Sequence, residues 1–141
     1  MSWIAGVTLT QDNGDNDDLQ TINAYGGLKS GSGLAAQVEF WSRDADAADT
    51  TDSGMSIQAS YTLPMTGSWQ PGFVARVSSA DMESLQFLGL PVEEEFMESL
   101  IGVNAYCSGH NLKTQLQVRQ VSLDLADADT TSVDLLFTLV F

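Results

Sequence analysis

The stretch LLFTLVF, residues 135–141, is strongly apolar in a chain that carries 19 acidic and five basic residues. Side chains alternate between the two faces of an extended strand. One face then holds Leu135, Phe137, Leu139 and Phe141. Chain ends are usually polar and solvated. An apolar face that continues to the last residue therefore requires an apolar neighbour, either a protein core or a lipid bilayer.

Length and composition limit the classes of protein that this sequence can specify. The 141 residues fit a single domain, 1–141, and 43% of them are hydrophobic, which excludes a disordered chain. A net charge of −14 excludes nucleic acid as a partner, because phosphate binding needs clustered Lys and Arg. Cys107 is the only cysteine, so no intrachain disulfide forms. No apolar run is long enough for a transmembrane helix.

Hydrophobic residues recur with a period of two along most of the chain, and a helical period is nearly absent. Met55, Ile57 and Ala59, for example, alternate with Ser56 and Gln58. Such alternation is typical of strands whose two faces meet different surroundings. The pattern predicts an all-β fold with eight antiparallel strands, at residues 3–11, 19–29, 34–43, 55–65, 69–79, 96–108, 112–125 and 132–141.

The connections between these predicted strands alternate between long and short. Longer loops are expected at residues 12–18, 44–54, 80–95 and 126–131, and they hold most of the acidic residues. An up-and-down meander places these loops at one end of the strands and the short turns at the other. Outer-membrane β-barrels have short periplasmic turns and longer outer loops. The pattern therefore favours a transmembrane β-barrel.

The two faces of the predicted strands support the same interpretation. The outward set is rich in Ala, Val, Leu, Ile, Met and Phe, while the inward set is polar. Polar inside and apolar outside is the reverse of a soluble barrel. The predicted inward residues are Thr21, Asn23, Gln37, Glu39, Ser56, Gln58, Ser60, Arg76, Asn104, Lys113, Gln115, Gln117 and Arg119.

Aromatic residues fall near both ends of the predicted strands. Trp3, Trp69 and Phe141 lie at the short-turn end, where a membrane-interface girdle is expected. A second group lies near the long-loop end, namely Phe40, Trp41 and Phe96. The chain is therefore expected to contact a lipid bilayer along its outward face.

The segment GVNAYCSGHNLKTQLQV, residues 102–118, resembles a late hairpin of the phosphate-selective porin O/P family, and FVARVSSAD, residues 73–81, resembles an earlier strand of the same region. The resemblance implies a bacterial outer-membrane location and a role in ion transport. Phe137 and the terminal Phe141 resemble the signal read by the barrel assembly machinery. Family members are longer chains that form sixteen-stranded, usually trimeric barrels. This chain is then a C-terminal half, an eight-stranded relative, or one of several copies that close a barrel as a homo-oligomer.

Three of the five basic residues, Arg76, Lys113 and Arg119, fall on the inward parity. Rings of Arg and Lys select anions in pores, so these three are the predicted pore-lining anion contacts. The alternative is that they neutralise Glu39, Glu98 or Asp134 inside a packed barrel.

Other motifs do not indicate further chemistry. The acidic segment 12–18 lacks the ligand spacing of a calcium loop. The string GSGLAA, residues 31–36, precedes an alternating strand and is interpreted as a hairpin turn rather than a dinucleotide site. His110 has no second metal-ligating side chain near it in sequence. Residues 84–96 form an insertion that folds into the mouth, across it, or against a neighbour. No metal, cofactor or enzymatic activity is predicted.

The sequence thus leaves three functions open. The first is a porin-like barrel that contributes to passive diffusion of small ions, including anions such as phosphate. The second is a non-conducting eight-stranded outer-membrane barrel with an anchoring, adhesive or structural role. The third, a soluble ligand-binding β-barrel, requires apolar residues on the inward parity, where polar ones predominate.

Overall fold

The structure is a computed structural model that describes residues 1–13, 18–45, 49–87, 90–107, 112–124 and 127–139. Each strand pairs antiparallel with its sequence neighbours, so the sheet order is the chain order. The predicted all-β, up-and-down arrangement of eight strands is confirmed. The strands are β1 (Ser2–Asn13), β2 (Asp18–Lys29), β3 (Leu34–Ala45), β4 (Thr50–Thr62), β5 (Trp69–Phe87), β6 (Leu90–Cys107), β7 (Leu112–Leu123) and β8 (Ala128–Leu139).

The described residues contain no helix with the length and apolar character needed to span a membrane.

Several strands extend through segments that the sequence predicts to be loops. The predicted loop 80–95 is wrong over most of its length, because β5 and β6 continue through it as a two-stranded hairpin. The predicted loop 44–54 is also wrong from Thr50 onward, where β4 begins. Asp81 lies opposite Glu95 in the hairpin ladder, a like-charge pair that sequence rules disfavour in a strand. Backbone pairing across a tight hairpin outweighs that local preference.

The connection between β2 and β3 is the glycine-containing turn that the sequence predicts. Ser30 donates its backbone N–H to Leu34 at 2.8 Å, and Gly33 adopts a φ of 95°. The Gly33 carbonyl also accepts a hydrogen bond from the backbone N–H of Thr62 at 2.9 Å. A β-carbon at Gly33 would lie 2.0 Å from the Thr62 carbonyl oxygen. The turn therefore requires glycine for both its φ and its close approach to the end of β4.

The strand register gives the sheet one apolar face and one polar face. Val38, Ile57 and Val77 lie side by side on neighbouring strands. The adjacent row on the opposite face holds Gln37, Gln58 and Arg76. We call these the apolar face and the polar face. The apolar face comprises the odd-numbered residues of β1, β4, β8 and the regular parts of β5 and β6, with the even-numbered residues of β2, β3 and β7.

The described residues form almost no hydrophobic core. Ala45 and Leu100 are the only hydrophobic residues among them that are buried. The apolar face is exposed across all eight strands, with Ile101 at 66% and Phe137 at 68%. A water-soluble domain of this size would bury most such side chains. Among the described residues, the sheet is therefore a single layer, and no second layer packs against its apolar face.

The sequence predicts a transmembrane β-barrel and leaves open whether one chain or several copies close it; closure is not found among the described residues. No pairing joins β1 to β8 there, so the sheet has two open edges. The polar face carries charged and amide side chains. Hydrophobic burial on that face therefore provides little force to draw the two edges together.

Candidate functional site

The apolar face forms a continuous band that is free of charge in its middle. Among the regularly paired residues with described side chains, its only charged residues are Asp44, Asp81, Glu95 and Asp129, all at the end with the long β5–β6 hairpin. We call this the hairpin end, and the end with the glycine turn the turn end. On β6 the positions of the apolar face, every second residue from Met97 to Cys107, carry no charge. Tilted strands of about nine to eleven residues span a bilayer, so the band has the length needed to cross one.

The polar face carries all five basic residues of the chain. Arg76, Lys113 and Arg119 lie on it, as predicted from their parity. Lys29 and Arg43 lie there as well, although they are not among the predicted inward residues. Because every positive charge is on one face and none is on the other, the two faces suit different environments.

Glu98 on β6 connects two of the predicted anion contacts. Arg76 Nη2 donates to Glu98 Oε1 at 2.5 Å, and Arg119 Nη1 lies 3.7 Å from Glu98 Oε2. The Glu98 side chain is only 10% exposed, whereas the two arginine side chains are 38% and 42% exposed. The neutralising partner that the sequence suggested is thus present for both arginines. Their role as anion contacts stays a prediction.

Further polar contacts extend from Arg119 across β7 and β8. Arg119 Nε lies 3.9 Å from Asp134 Oδ2 and donates to Ser132 Oγ at 3.4 Å. Gln117 Nε2 donates to the same Asp134 oxygen at 3.1 Å. The centre of the polar face is therefore a network of charges and amides with half-exposed arginines at its surface.

The turn end of the polar face is basic. Lys113 Nζ lies 5.9 Å from the centroid of the Tyr106 ring, within range of a cation–π interaction. Among the described residues no carboxylate lies within 4.0 Å of Lys113 or Lys29. Both lysines are near the β2 and β7 termini at this end. An anion that approaches from the turn end would meet positive charge first.

The hairpin end contains a buried ion pair that the sequence pattern does not predict. Arg43 on β3 contacts Asp52 on β4 through both Nε and Nη2, and Asp52 is the most buried side chain of the described residues, at 1% exposure. The sequence pattern predicts Asp52 in the loop 44–54, whereas it lies in β4. The two residues face each other in the β3–β4 register. Their opposite charges on the two sides of the β3–β4 connection were the available signal.

An aromatic ring on the polar face lies flat against a neighbouring strand. The Trp41 ring on β3 covers Gly54 on β4, where a β-carbon would lie 2.5 Å from Trp41 Nε1. Only glycine leaves space for the ring at this position. Trp41 therefore covers the sheet instead of projecting from it, which keeps its bulk away from the centre of the polar face.

The predicted interface aromatics lie where the parity places them. Trp3 and Trp69 are on the apolar face at the turn end, with 79% and 45% exposure. Phe137, predicted as part of an assembly signal, is on the apolar face. Phe141, predicted for both roles, lies outside the described residues.

The acidic segment 12–18 and His110 are the two remaining sequence features that were considered as ligand sites. Residues 14–17 and 108–111 lie outside the described residues, so the central part of the acidic segment 12–18 and His110 are not placed. Among the residues that the structure places, no group of three or more His, Cys, Asp or Glu could hold a metal ion.

No protein-family model matches this chain, and no curated protein sequence matches it. The resemblance to the phosphate-selective porin O/P family therefore stays a prediction. The functional argument rests on the two faces of the sheet.

Proposed function

We propose that this chain is a porin-like outer-membrane β-barrel protein that contributes to the passive passage of small ions, including anions such as phosphate. The separation of its two faces is the observation that carries this proposal. The apolar face is exposed and has no charge in its middle, while all five basic residues lie on the polar face.

The exposed apolar side chains favour a bilayer over water. Apolar surface costs about 25 cal/mol for each Å² that stays in water, whereas lipid tails accept it without that cost. Paired strands also satisfy their backbone hydrogen bonds internally, which the hydrocarbon region requires. The turn-end aromatics Trp3 and Trp69 lie on the lipid-facing side, at the level where outer-membrane barrels carry a girdle.

The polar face supplies groups that interact with permeating ions. Lys113 and Lys29 lie at the turn end, and Arg76 and Arg119 are half-exposed at the centre. Positive side chains along a pore raise the local concentration of anions and lower the barrier to their passage. These residues are the proposed selectivity determinants, in agreement with the resemblance noted from the sequence.

The test is reconstitution of the purified chain in a planar bilayer under a salt gradient. We expect discrete unit conductances and a reversal potential on the anion side. Combined replacement of Arg76, Lys113 and Arg119 by Gln should move that potential toward cation preference. Arg43→Gln, at the hairpin end, is the matched control and should change it less. Absence of unit conductance across a wide range of protein concentration would defeat ion passage.

A second candidate function is a non-conducting outer-membrane barrel with an anchoring or structural role. The observation that favours it is the pairing of Glu98 with both Arg76 and Arg119, because such a network can fill the interior of a narrow barrel. Insertion without conductance in the same bilayer experiment would select this function. Purification as a monodisperse monomer without detergent would contradict both membrane functions.

A further inference from the structure

The two open edges of the sheet conflict with a lone copy in a membrane. β1 and β8 each lack a partner on one side among the described residues, while the apolar face continues onto both strands. Trp3 and Val7 are exposed on β1, and Val133 and Phe137 on β8. Unpaired backbone N–H and C=O groups cost several kcal/mol each in hydrocarbon. Each edge therefore needs a strand beside it.

The solvation of the polar face indicates how wide the closed barrel is. An eight-stranded barrel has an interior just wide enough for its side chains to fill. Closure on eight strands would remove water from Arg76 and Arg119, which are 38% and 42% exposed. Lys113, at the turn end, has no carboxylate within 4.0 Å among the described residues. Burying such an unpaired charge is costly. The ion pairs described above also join only neighbouring strands, so they form no contact across a lumen.

We propose that each open edge pairs with the opposite edge of a second copy of this chain. β1 of one copy lies beside β8 of its partner at two seams, and the pair closes a sixteen-stranded barrel about a twofold axis. The strands alternate in direction and their number per chain is even, so each seam is antiparallel like the rest of the sheet. This inference rests on the proposed membrane location. It makes the pore a property of the pair, since neither copy alone encloses a lumen.

The register of the seam follows from parity and strand tilt. The row of paired residues that starts at Val7 on β1 ends at Asp129 on β8. In a closed barrel, a row of paired residues followed once around returns to its first strand displaced along that strand, and this displacement is the stagger. Strands spaced about 4.8 Å apart and tilted by 35–45° need a total stagger of roughly 16–23 residues around sixteen strands, or about 8–11 per seam. The stagger must be even, because an odd shift would turn apolar residues into the lumen.

Of the even values, a stagger of about eight gives the longest ladder. It pairs residues 5–13 of one copy with residues 131–139 of the other, within β1 and β8. Val7 then lies beside Phe137 of the partner subunit, and Leu9 lies beside Leu135 of the partner subunit. All four side chains are exposed on the apolar face of the single chain, and the seam extends that face without a break.

The test is disulfide crosslinking between two single-cysteine variants. Both carry Cys107→Ser, one also carries Leu9→Cys, and the other carries Leu135→Cys and a tag that changes its size. They are folded together into lipid vesicles and oxidised. We expect a mixed covalent dimer containing up to half of the chains. Thr8→Cys, which faces the lumen, replaces Leu9→Cys as the control and should crosslink far less.

A chain that carries both cysteines provides the opposing outcome. An internal disulfide in this chain, with no mixed dimer from the single variants, would overturn the two-copy seam and assign closure to one chain. Light scattering of the unmodified protein in detergent should give twice the chain mass of 15.1 kDa, and a monomer mass would also overturn the inference. A mixed dimer without conductance would keep the seam and remove only the proposed ion passage.

Discussion

The apolar face makes a quantitative prediction about a single added charge. Val38 lies near the middle of the band, between Gly26 and Ile57 on the neighbouring strands, and it is 45% exposed. In the proposed membrane barrel, Val38→Lys places an ammonium group in the hydrocarbon region. A Lys at the bilayer midplane of a β-barrel costs about 2–4 kcal/mol. This corresponds to a decrease of about 30- to 900-fold in the folding equilibrium constant.

The adjacent position provides a matched control. Gln37 is the preceding residue on the same strand, lies on the polar face, and is opposite Gln58. Gln37→Lys adds the same charge to the same net-negative chain but keeps it on the polar face. On the polar face it should change the free energy of unfolding by no more than about 0.5 kcal/mol. The difference between the two variants thus isolates the environment of one face.

The measurement is equilibrium unfolding by guanidinium in phospholipid vesicles, followed by the fluorescence of the three tryptophans. With a slope of about 3 kcal/mol per M, Val38→Lys should lower the midpoint by about 1 M. If the apolar face were in water, Val38→Lys would be nearly neutral, as surface substitutions usually are. Equal midpoints for the two variants would therefore refute the assignment of the apolar face to lipid.

Three further substitutions test the geometry of the sheet, each by the same unfolding measurement. Gly33→Ala should cost about 1–3 kcal/mol because of its positive φ and its contact with β4, whereas Gly31→Ala, which meets nothing within 4 Å, should stay near wild type. Gly54→Ala should cost about 1–3 kcal/mol and shift the emission of Trp41, and an unchanged emission would contradict their contact. Glu98→Gln should cost about 1–3 kcal/mol, less than a fully buried pair because its arginine partners are half-exposed, and a neutral effect would contradict the network.

The assignment of residues to faces could be predicted because it depends only on strand parity. Arg76 and Val77 are adjacent in sequence and lie on opposite faces, and any regular strand through them gives that result. The ends of the strands were harder to predict from the sequence, since acidic residues have low strand propensity. Asp81 and Glu95 were assigned to a loop, yet they form a ladder pair in the β5–β6 hairpin.

Contacts between strands could not be predicted without the register. The Arg43–Asp52 ion pair and the Trp41–Gly54 contact both depend on which residues lie opposite each other across the β3–β4 turn. Parity alone does not fix that alignment, because a shift of one strand by any even number of residues leaves every side chain on the same face. Glu98 was a candidate partner from its charge, but its simultaneous contact with Arg76 and Arg119 depends on two registers at once.

Barrel closure differs in kind from these local contacts, because it depends on the surroundings of the sheet. Neither face gives an isolated chain a strong reason to join β1 to β8: the apolar face is already exposed, and the polar face would lose hydration around Arg76 and Arg119. A bilayer changes this balance, since every unpaired edge group then costs several kcal/mol. Pairing with a second copy satisfies both edges and still leaves the arginines in water. The requirement for edge pairing and the requirement for a hydrated lumen are therefore met by the same assembly.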